Sequence, residues 1–338
     1  MQNNVIIMSI SRKIVQHLER FYKRKVVMEQ YPMLTPISRK KLLSEGAKGV
    51  VYMLHHISDK NPNGIPTNED LKVSPGFLEK VILQYNRNGF DFYSLDELYT
   101  FILLGLKSDR PFVCFTIDDG YLDNYTNALP VFEKYNVPFA IFVATDFVDK
   151  KALLWWDCLE DLILSHQEVV ISSGEKFICW TFQDRWNTFR LLRDRILNLN
   201  QSCLEKELTS MFSSYEIDWY APIRSKGMNW DQIRELSHHP LCTIGGHTRS
   251  HPALNKLSSD DAINEIEEGI IKIKEETHND VHYFAYPYGT PHEIGRREFQ
   301  IVKDLGINMA FMAHQGCVAL NNMELTSMPR VYLNETNR

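Results

Sequence analysis

The sequence lacks the features that mark membrane-spanning and nucleic-acid-binding proteins. No apolar run reaches the 18 residues that a spanning helix needs, so no transmembrane segment is predicted. The 37 lysines and arginines are outnumbered by 43 aspartates and glutamates, which leaves a formal net charge of −6. Because there is no basic excess, nucleic acid is not expected as a partner.

A secretory signal is also missing from the sequence. The N-terminal segment has only a short apolar patch, and charged residues interrupt it from Arg12 onward. This absence predicts a cytoplasmic protein. The segment 11–25 has the pattern of a basic amphipathic helix, which would either bind the surface of a membrane or pack on the outside of the folded domain.

Cysteines are few, and their spacing is irregular. None of the six lies in a C-x-x-C pair, and several fall inside apolar runs. This distribution predicts free thiols in a reducing compartment rather than a disulfide framework.

Short apolar runs with many β-branched and aromatic residues recur along the chain and alternate with helical patterns. They cover 49–57, 111–117, 138–145, 241–246, 281–286 and 307–313. Nearly continuous apolar strands are typical of a parallel sheet that is covered on both faces. The alternation of strands and helices predicts an α/β fold, either a barrel or an open sheet. The segment 151–228 breaks the rhythm and is predicted to be a mostly helical insertion.

Side chains suited to catalysis follow four of these predicted strands. In parallel α/β folds, functional groups cluster at the carboxyl ends of the strands, so we expect the four sets to lie near one another. The sets are His55 with His56, Asp118 with Asp119, His247 with His251, and the segment Pro287-Tyr288-Gly289.

The segment GGHTRSHP (245–252) has the spacing of a metal site. Histidines at positions i and i+4, here His247 and His251, lie on one face of a helical turn and can bind one ion. A carboxylate from another strand would complete a His₂Asp set, which is the catalytic zinc pattern with one position left open. The alternative is a pair of solvated loop histidines.

The adjacent aspartates of TIDDG suggest two separate tasks. Neighbouring side chains on a strand point to opposite faces. One aspartate can therefore bind a metal while the other acts as a general base. The alternative is that the DDG turn only caps the following helix.

The segments TIDDG, HTRSHP and FAYPYG, in this order, resemble the first three motifs of the polysaccharide deacetylase family, the NodB-homology fold of carbohydrate esterase family four. The resemblance covers about 49–150 and 229–313. It implies a distorted (β/α) TIM-like barrel of about seven strands. The expected organisation is an N-terminal helical extension over 1–48 and a barrel domain over 49–338 that contains the insertion.

The resemblance also implies roles for individual residues. Asp118 matches the general base, and Asp119, His247 and His251 match the metal ligands. Tyr288 matches the residue whose backbone N–H stabilises the oxyanion. The implied reaction is hydrolysis of an N-acetyl, less often O-acetyl, group on a sugar, with a divalent metal, Zn²⁺ by preference.

The sequence departs from the family pattern in two places. Ala285 stands where the family often has an arginine that orients the base, and Arg330 is a candidate replacement from the last strand. The usual late leucine-x-histidine motif, which supplies the general acid, is absent. The early segment YMLHHIS resembles one branch of the family, which includes deacetylases of poly-N-acetylglucosamine, and this makes His55 the candidate acid and His56 the second choice.

The predicted substrate is an acetylated carbohydrate. Because no export signal is seen, a lipid- or nucleotide-linked precursor of an envelope polysaccharide fits better than finished cell wall.

Trp155 and Trp156 would either stack on the sugar or attach the insertion to the barrel. The alternative function is a catalytically weak carbohydrate-binding protein that keeps the fold, and the absent arginine motivates it. A magnesium phosphohydrolase would not need the two histidines.

Overall fold

The computed structural model describes residues 37–38, 40, 42, 46–106, 108–319 and 323–335. The predicted amphipathic helix over 11–25 lies outside these residues, as does most of the predicted extension over 1–48. None of the described helices is both long and apolar enough to cross a membrane.

The described residues contain twelve β-strands, which we number in chain order. They are β1 (Gly49–Leu54), β2 (His56–Ile57), β3 (Lys72–Val73), β4 (Asp91–Phe92), β5 (Phe112–Asp119), β6 (Phe139–Val143), β7 (Glu168–Val170), β8 (Lys176–Ile178), β9 (Cys242–Gly246), β10 (Tyr283–Ala285), β11 (Met309–Gln315) and β12 (Met328–Tyr332).

Seven of these strands form a closed parallel barrel. Their order around the barrel is β1-β12-β11-β10-β9-β6-β5, and β5 closes it by pairing with β1. The short strand β4 pairs with the beginning of β5 and is not part of the closed set. The predicted α/β barrel of about seven strands is therefore confirmed.

The alternation of side chains along the strands divides the barrel core into two layers. On β5, Val113, Phe115 and Ile117 face the surrounding helices and belong to the large outer core. Phe112 and Cys114 belong to a second cluster, which contains inward-facing residues of other strands and three side chains of the helix Leu95–Leu103. Because side chains repeat with a period of two, the positions after Cys114 that face the lumen are 116 and 118.

Twelve α-helices lie in the described residues. They are α1 (Pro66–Glu69), α2 (Pro75–Arg87), α3 (Leu95–Leu103), α4 (Leu129–Tyr135), α5 (Thr145–Val148), α6 (Trp155–Ser165), α7 (Phe182–Leu197), α8 (Leu204–Met211), α9 (Ala221–Lys226), α10 (Trp230–His238), α11 (Ser259–Thr277) and α12 (Arg296–Asp304). Local sequence explains several of the helix starts. Ser74, for example, accepts a hydrogen bond from the Phe77 N–H and so caps α2.

The segment 151–228 contains helices α6 to α9 and the antiparallel pair β7–β8. Its apolar side chains form a buried cluster of their own, which includes Leu159, Phe189 and Trp219. Glu160 on α6 accepts hydrogen bonds from the Ile65 N–H and from the Asn68 side chain. These bonds attach the segment to the connection between β2 and β3, which contains α1.

Candidate metal centre and active site

The two aspartates at the end of β5 enter the same cavity, although side-chain alternation predicts that they point to opposite faces. Asp118 lies on the lumen face of the strand. Asp119 has a φ of 80°, a left-handed conformation that is rare for a residue with a side chain. This backbone twist, which the alternation argument did not include, turns the Asp119 side chain back toward the cavity. Such conformations cost of order 1–3 kcal/mol and cluster at functional sites.

Asp119, His247 and His251 form the metal-ligand group found in the described part of the chain. Oδ1 of Asp119 lies 3.2 Å from Nε2 of His247 and 3.3 Å from Nε2 of His251. Despite these short distances, neither histidine meets this buried oxygen with hydrogen-bond geometry. The atoms converge on one point without bonding to each other.

This geometry fits a zinc ion. Zinc bonds to nitrogen and oxygen are about 2.1 Å long, so two ligands of a tetrahedral site lie about 3.4 Å apart. The separations measured between Asp119 and the two histidines are close to that value. Two imidazoles and one carboxylate are also the usual donor set of catalytic zinc.

The two histidines approach each other through a loop and not through a helical turn, so that part of the sequence interpretation was wrong. Residues 247–251 are not helical, and Thr248 and His251 have φ values of 67° and 65°. These two left-handed residues fold the loop back after β9. His247 is oriented further by a 2.7 Å hydrogen bond between its Nδ1 and the Ala285 carbonyl, the kind of bond that typically fixes metal-ligating histidines.

Arg330 on β12 binds the Asp118 carboxylate from inside the barrel. Two bonds of 2.7 Å join its Nη1 and Nη2 to Oδ1 and Oδ2. Arg330 also donates to Oγ1 of Thr116 and to the Met312 carbonyl, and both members of the ion pair are buried. The pair holds the carboxylate in one orientation, although Ala285 has no charge to contribute.

The surroundings keep both aspartates ionised. Burial raises the pKa of Asp118, but the charges of Arg330 and then His247 outweigh this effect, and the pKa lies below its ordinary value. Burial likewise raises the pKa of Asp119, and His247 and His251 lower it by more, so that it lies well below its ordinary value. Asp118 is therefore available as a proton acceptor at neutral pH.

Replacing Arg330 with methionine is expected to lower the free energy of unfolding by about 3–5 kcal/mol, because Asp118 would remain buried without its counter-charge. Urea unfolding followed by circular dichroism, in a buffer with a chelator, measures the change. The double variant Asp118→Asn/Arg330→Met removes both charges and should recover a large part of the loss. A single-variant loss below about 1 kcal/mol would contradict the importance of the pair.

His55 follows β1 and lines the cavity, while its neighbour His56 does not. No described residue is hydrogen-bonded to the buried Nδ1 of His55. Burial lowers the pKa of His55, and the Asp119 and Asp118 charges act in the opposite direction. The Nδ1 of His56 is instead bound to Asp123 Oδ2 at 2.8 Å, and its ring stacks on Tyr121 at 3.7 Å between centroids.

Tyr288 packs against the metal-ligand group. Its ring meets the His251 ring edge-on with 4.7 Å between centroids, and its φ is 59°. No acceptor among the described residues takes the Tyr288 backbone N–H.

The two tryptophans of α6 line the cavity and also contact the barrel. Trp155 donates to the Tyr288 hydroxyl and Trp156 donates to the Tyr121 hydroxyl, both at 3.3 Å. Trp155 is buried and Trp156 is half-buried. The attachment of the insertion to the barrel is thus directly visible, and stacking on a sugar remains a prediction.

The cavity has a volume of about 180 Å³, below the range of roughly 300–1,000 Å³ for drug-sized ligands, so one small group fits it. Nine of the 18 residues that line it were not identified from the sequence, among them Asn68, Phe189 and Arg193. Asn68 follows no predicted strand, and Phe189 and Arg193 belong to the insertion. Only the helical spacing of the latter two, four residues apart, indicated that they share a face.

The family model for polysaccharide deacetylase matches residues 105–310, more than half of the chain. The Bacillus subtilis protein YxkH, which carries the description of a polysaccharide deacetylase, is 31% identical over 97 residues. That match spans 29% of this chain and about a third, 32%, of the relative.

Solved structures of two other proteins have a similar fold. The deacetylase PplD of Streptococcus pyogenes, solved with acetate, matches with a TM-score of 0.56 and 17% identity over 84% of this chain and 92% of that one. IcaB of Ammonifex degensii matches with a TM-score of 0.54 and 18% identity over 85% and 92%. At these identities the likeness is one of fold.

Proposed function

Because this chain belongs to the polysaccharide deacetylase family, we propose that it is a metal-dependent enzyme that hydrolyses an N-acetyl group on a sugar unit. The observation that carries the proposal is the buried group of Asp119, His247 and His251 beside the Asp118–Arg330 ion pair. One cavity thus contains a set of metal ligands and an ionised carboxylate that is not one of them. A protein that only bound carbohydrate would need neither.

In this proposal Asp119, His247 and His251 hold Zn²⁺. When bound, the metal supplies a Lewis acid that polarises the acetyl carbonyl and makes water more acidic. The protein contributes the orientation of the ligands, through the left-handed backbone of Asp119 and His251 and the bond from His247 to the Ala285 carbonyl.

Asp118 is the general base of the proposed reaction. It takes one proton from the attacking water, whose oxygen forms a bond to the acetyl carbon. Arg330 occupies both carboxylate oxygens from one side, so the carboxylate cannot rotate away from the cavity. Proton transfer to Asp118 therefore takes place from a fixed position.

The remaining steps need an oxyanion donor and an acid. The unpaired N–H of Tyr288 is the proposed donor to the tetrahedral oxyanion. When the C–N bond breaks, His55 delivers a proton to the leaving nitrogen, and the products are acetate and a free amine. Because the pKa of His55 is lowered, its imidazole takes up a proton from solvent before the C–N bond breaks, and Asp118 returns the water proton to solvent after acetate leaves.

The proposed substrate is an N-acetylated sugar unit of a polysaccharide, an oligosaccharide or a lipid- or nucleotide-linked precursor. PplD was solved with acetate, the product that this reaction releases. Trp155 and Trp156 are proposed to contact the sugar. The alternative of a catalytically weak binding protein was suggested because Ala285 stands where the family often has an arginine. Arg330 contacts Asp118 instead, so this reason no longer applies.

Acetate release from a panel of N-acetylated sugars tests the proposal. The panel contains free, nucleotide-linked and lipid-linked forms, and the zinc content is measured on the same protein sample. We expect acetate release that depends on zinc and stops after chelation. Zinc-loaded protein that releases acetate from none of the panel would contradict the proposal.

Replacing His55 with glutamine is expected to lower kcat for acetate release by about 10²-fold, because the leaving amine loses its proton donor. The zinc content should not change, because His55 is not a ligand in the proposed site. His56→Gln is the matched control next to it, and we expect a much smaller effect on kcat there. Equal effects of the two variants on kcat would show that the general acid is a residue other than His55.

A further inference from the structure

Arg193 brings a charge from the insertion into the proposed active site. It lies on α7 and lines the same cavity as the metal ligands. Phe189, one turn earlier on the same face of the helix, is buried in the core of the insertion and also lines the cavity. The packing of Phe189 therefore fixes which face of α7 is turned toward the site.

Among the described residues that line the cavity, Arg193 is the one cationic side chain whose only ion-pair partner is an exposed chain neighbour. Asp118 is paired with Arg330, and Asp119 belongs to the metal-ligand group. The nearest carboxylate to Arg193 is its chain neighbour Asp194, whose side chain is 73% exposed and lies at 3.6 Å. No described residue accepts a hydrogen bond from Arg193, although its side chain is only 32% exposed.

Arg193 shares the cavity with Tyr288, which packs against the metal-ligand group. The Tyr288 ring packs on His251, and its hydroxyl accepts a hydrogen bond from Trp155. Arg193 therefore lines the same cavity as His251 and as the ring that packs on it.

Arg193 also lines a second cavity, which it shares with Lys256 and His292. Lys256 donates one of its hydrogen bonds to Asn198, which leaves its other N–H donors free for a ligand. Two carboxylates also line the second cavity: Asp194, and Glu293, which accepts a hydrogen bond from Thr290. A ligand that extends from the first cavity toward the second passes Arg193 at the boundary.

We propose that Arg193 is a substrate-binding residue that selects N-acetylated sugars with an anionic group, a phosphate or a carboxylate, beside the reacting unit. This inference rests on the proposed function and adds the class of substrate to it. A guanidinium presents two parallel N–H donors, which match the paired oxygens of both anions. The anion would accept the hydrogen bonds that no described residue accepts from Arg193.

Binding to the zinc-loaded Asp118→Asn/Arg330→Met variant tests the proposal by calorimetry, because this variant would not consume the ligand and leaves no second unpaired cation in the cavity. The ligands are N-acetylglucosamine 1-phosphate, N-acetylmuramic acid and the neutral methyl glycoside of N-acetylglucosamine. We expect at least one anionic ligand to bind more tightly than the neutral one. Arg193→Gln in this background should lower the affinity for that ligand by about 10- to 100-fold and change the affinity for the neutral glycoside by no more than about twofold. The ligand that responds identifies the anion as phosphate or carboxylate.

Two variants control for indirect effects. Arg190→Gln removes an exposed arginine of the same helix, which contacts the Trp186 ring outside the cavity, and should not change binding. Arg193→Lys keeps the positive charge but lacks the two parallel N–H donors of the guanidinium, and should give an intermediate affinity. Equal weakening of neutral and anionic ligands by Arg193→Gln, or no preference for either anion, would overturn the proposal.

Acetate release by the unsubstituted protein separates this proposal from the proposed function. If the neutral glycoside is deacetylated and neither anionic ligand is preferred, only the role of Arg193 is wrong. If an anionic ligand binds through Arg193 and no sugar loses acetate, the anion site is supported and the proposed function is wrong.

Discussion

Asp118→Asn is expected to lower kcat for acetate release by about 10³- to 10⁴-fold while the protein still binds one zinc ion. Asparagine has nearly the same shape as aspartate but cannot accept the proton of the attacking water. The proposed ligands Asp119, His247 and His251 are unchanged, so metal binding should survive. Initial rates of acetate release and zinc content by elemental analysis, measured on the same sample, test both parts.

The neighbouring substitution Asp119→Asn is the matched control for this experiment. It makes the same chemical change one residue later in the chain, and it should remove zinc instead of only slowing the reaction. Full acetate release by Asp118→Asn would show that another group is the base. Loss of zinc from both variants would show that the two aspartates do not have separate tasks.

Loss of a ligand is expected to have the second large effect. In Asp119→Asn, His247→Ala and His251→Ala, zinc content should fall to less than about a tenth of the normal value, and acetate release should fall with it, because two remaining ligands hold zinc weakly. Dialysis against buffer with low zinc, followed by elemental analysis, measures this. Asparagine is the suitable replacement at Asp119 because it tolerates the left-handed backbone better than alanine.

His55→Gln is the control for the ligand variants, since it changes a cavity histidine that is not a proposed ligand. It should retain zinc and show a lower kcat. Added zinc should restore part of the activity of His251→Ala, where two ligands remain. Normal zinc content in any of the three ligand variants would remove that residue from the metal site.

Most of the barrel could be predicted from the sequence, because its strands are short apolar runs that alternate with amphipathic helices. The position of the site was also predictable. Polar residues after several parallel strands must meet at one end of a barrel, and Asp118, Asp119, His247 and His251 do so. Arg330 could be named as a partner of Asp118, and the order of the strands explains their contact, since β12 lies next to β1 and β1 next to β5.

The details of the loops could not be predicted in this way. Asp119, Thr248 and His251 have positive φ values, and a residue with a side chain gives no sign of this in the sequence. Periodicity therefore assigned Asp119 to the wrong face and the histidines to a helical turn. Arg193 was missed for another reason: its place in the cavity depends on how the insertion packs on the barrel, which local patterns do not encode.

The position of β12 in the barrel has a consequence for biosynthesis. Val331 pairs with Tyr52, so the last barrel strand in chain order lies beside the first. A nascent chain that ends before Met328 already contains Asp118, Asp119, His247 and His251 but cannot neutralise Asp118 inside the barrel. The orientation of Asp118 therefore depends on Arg330, and under the proposed function acetate release would report that β12 has joined the barrel.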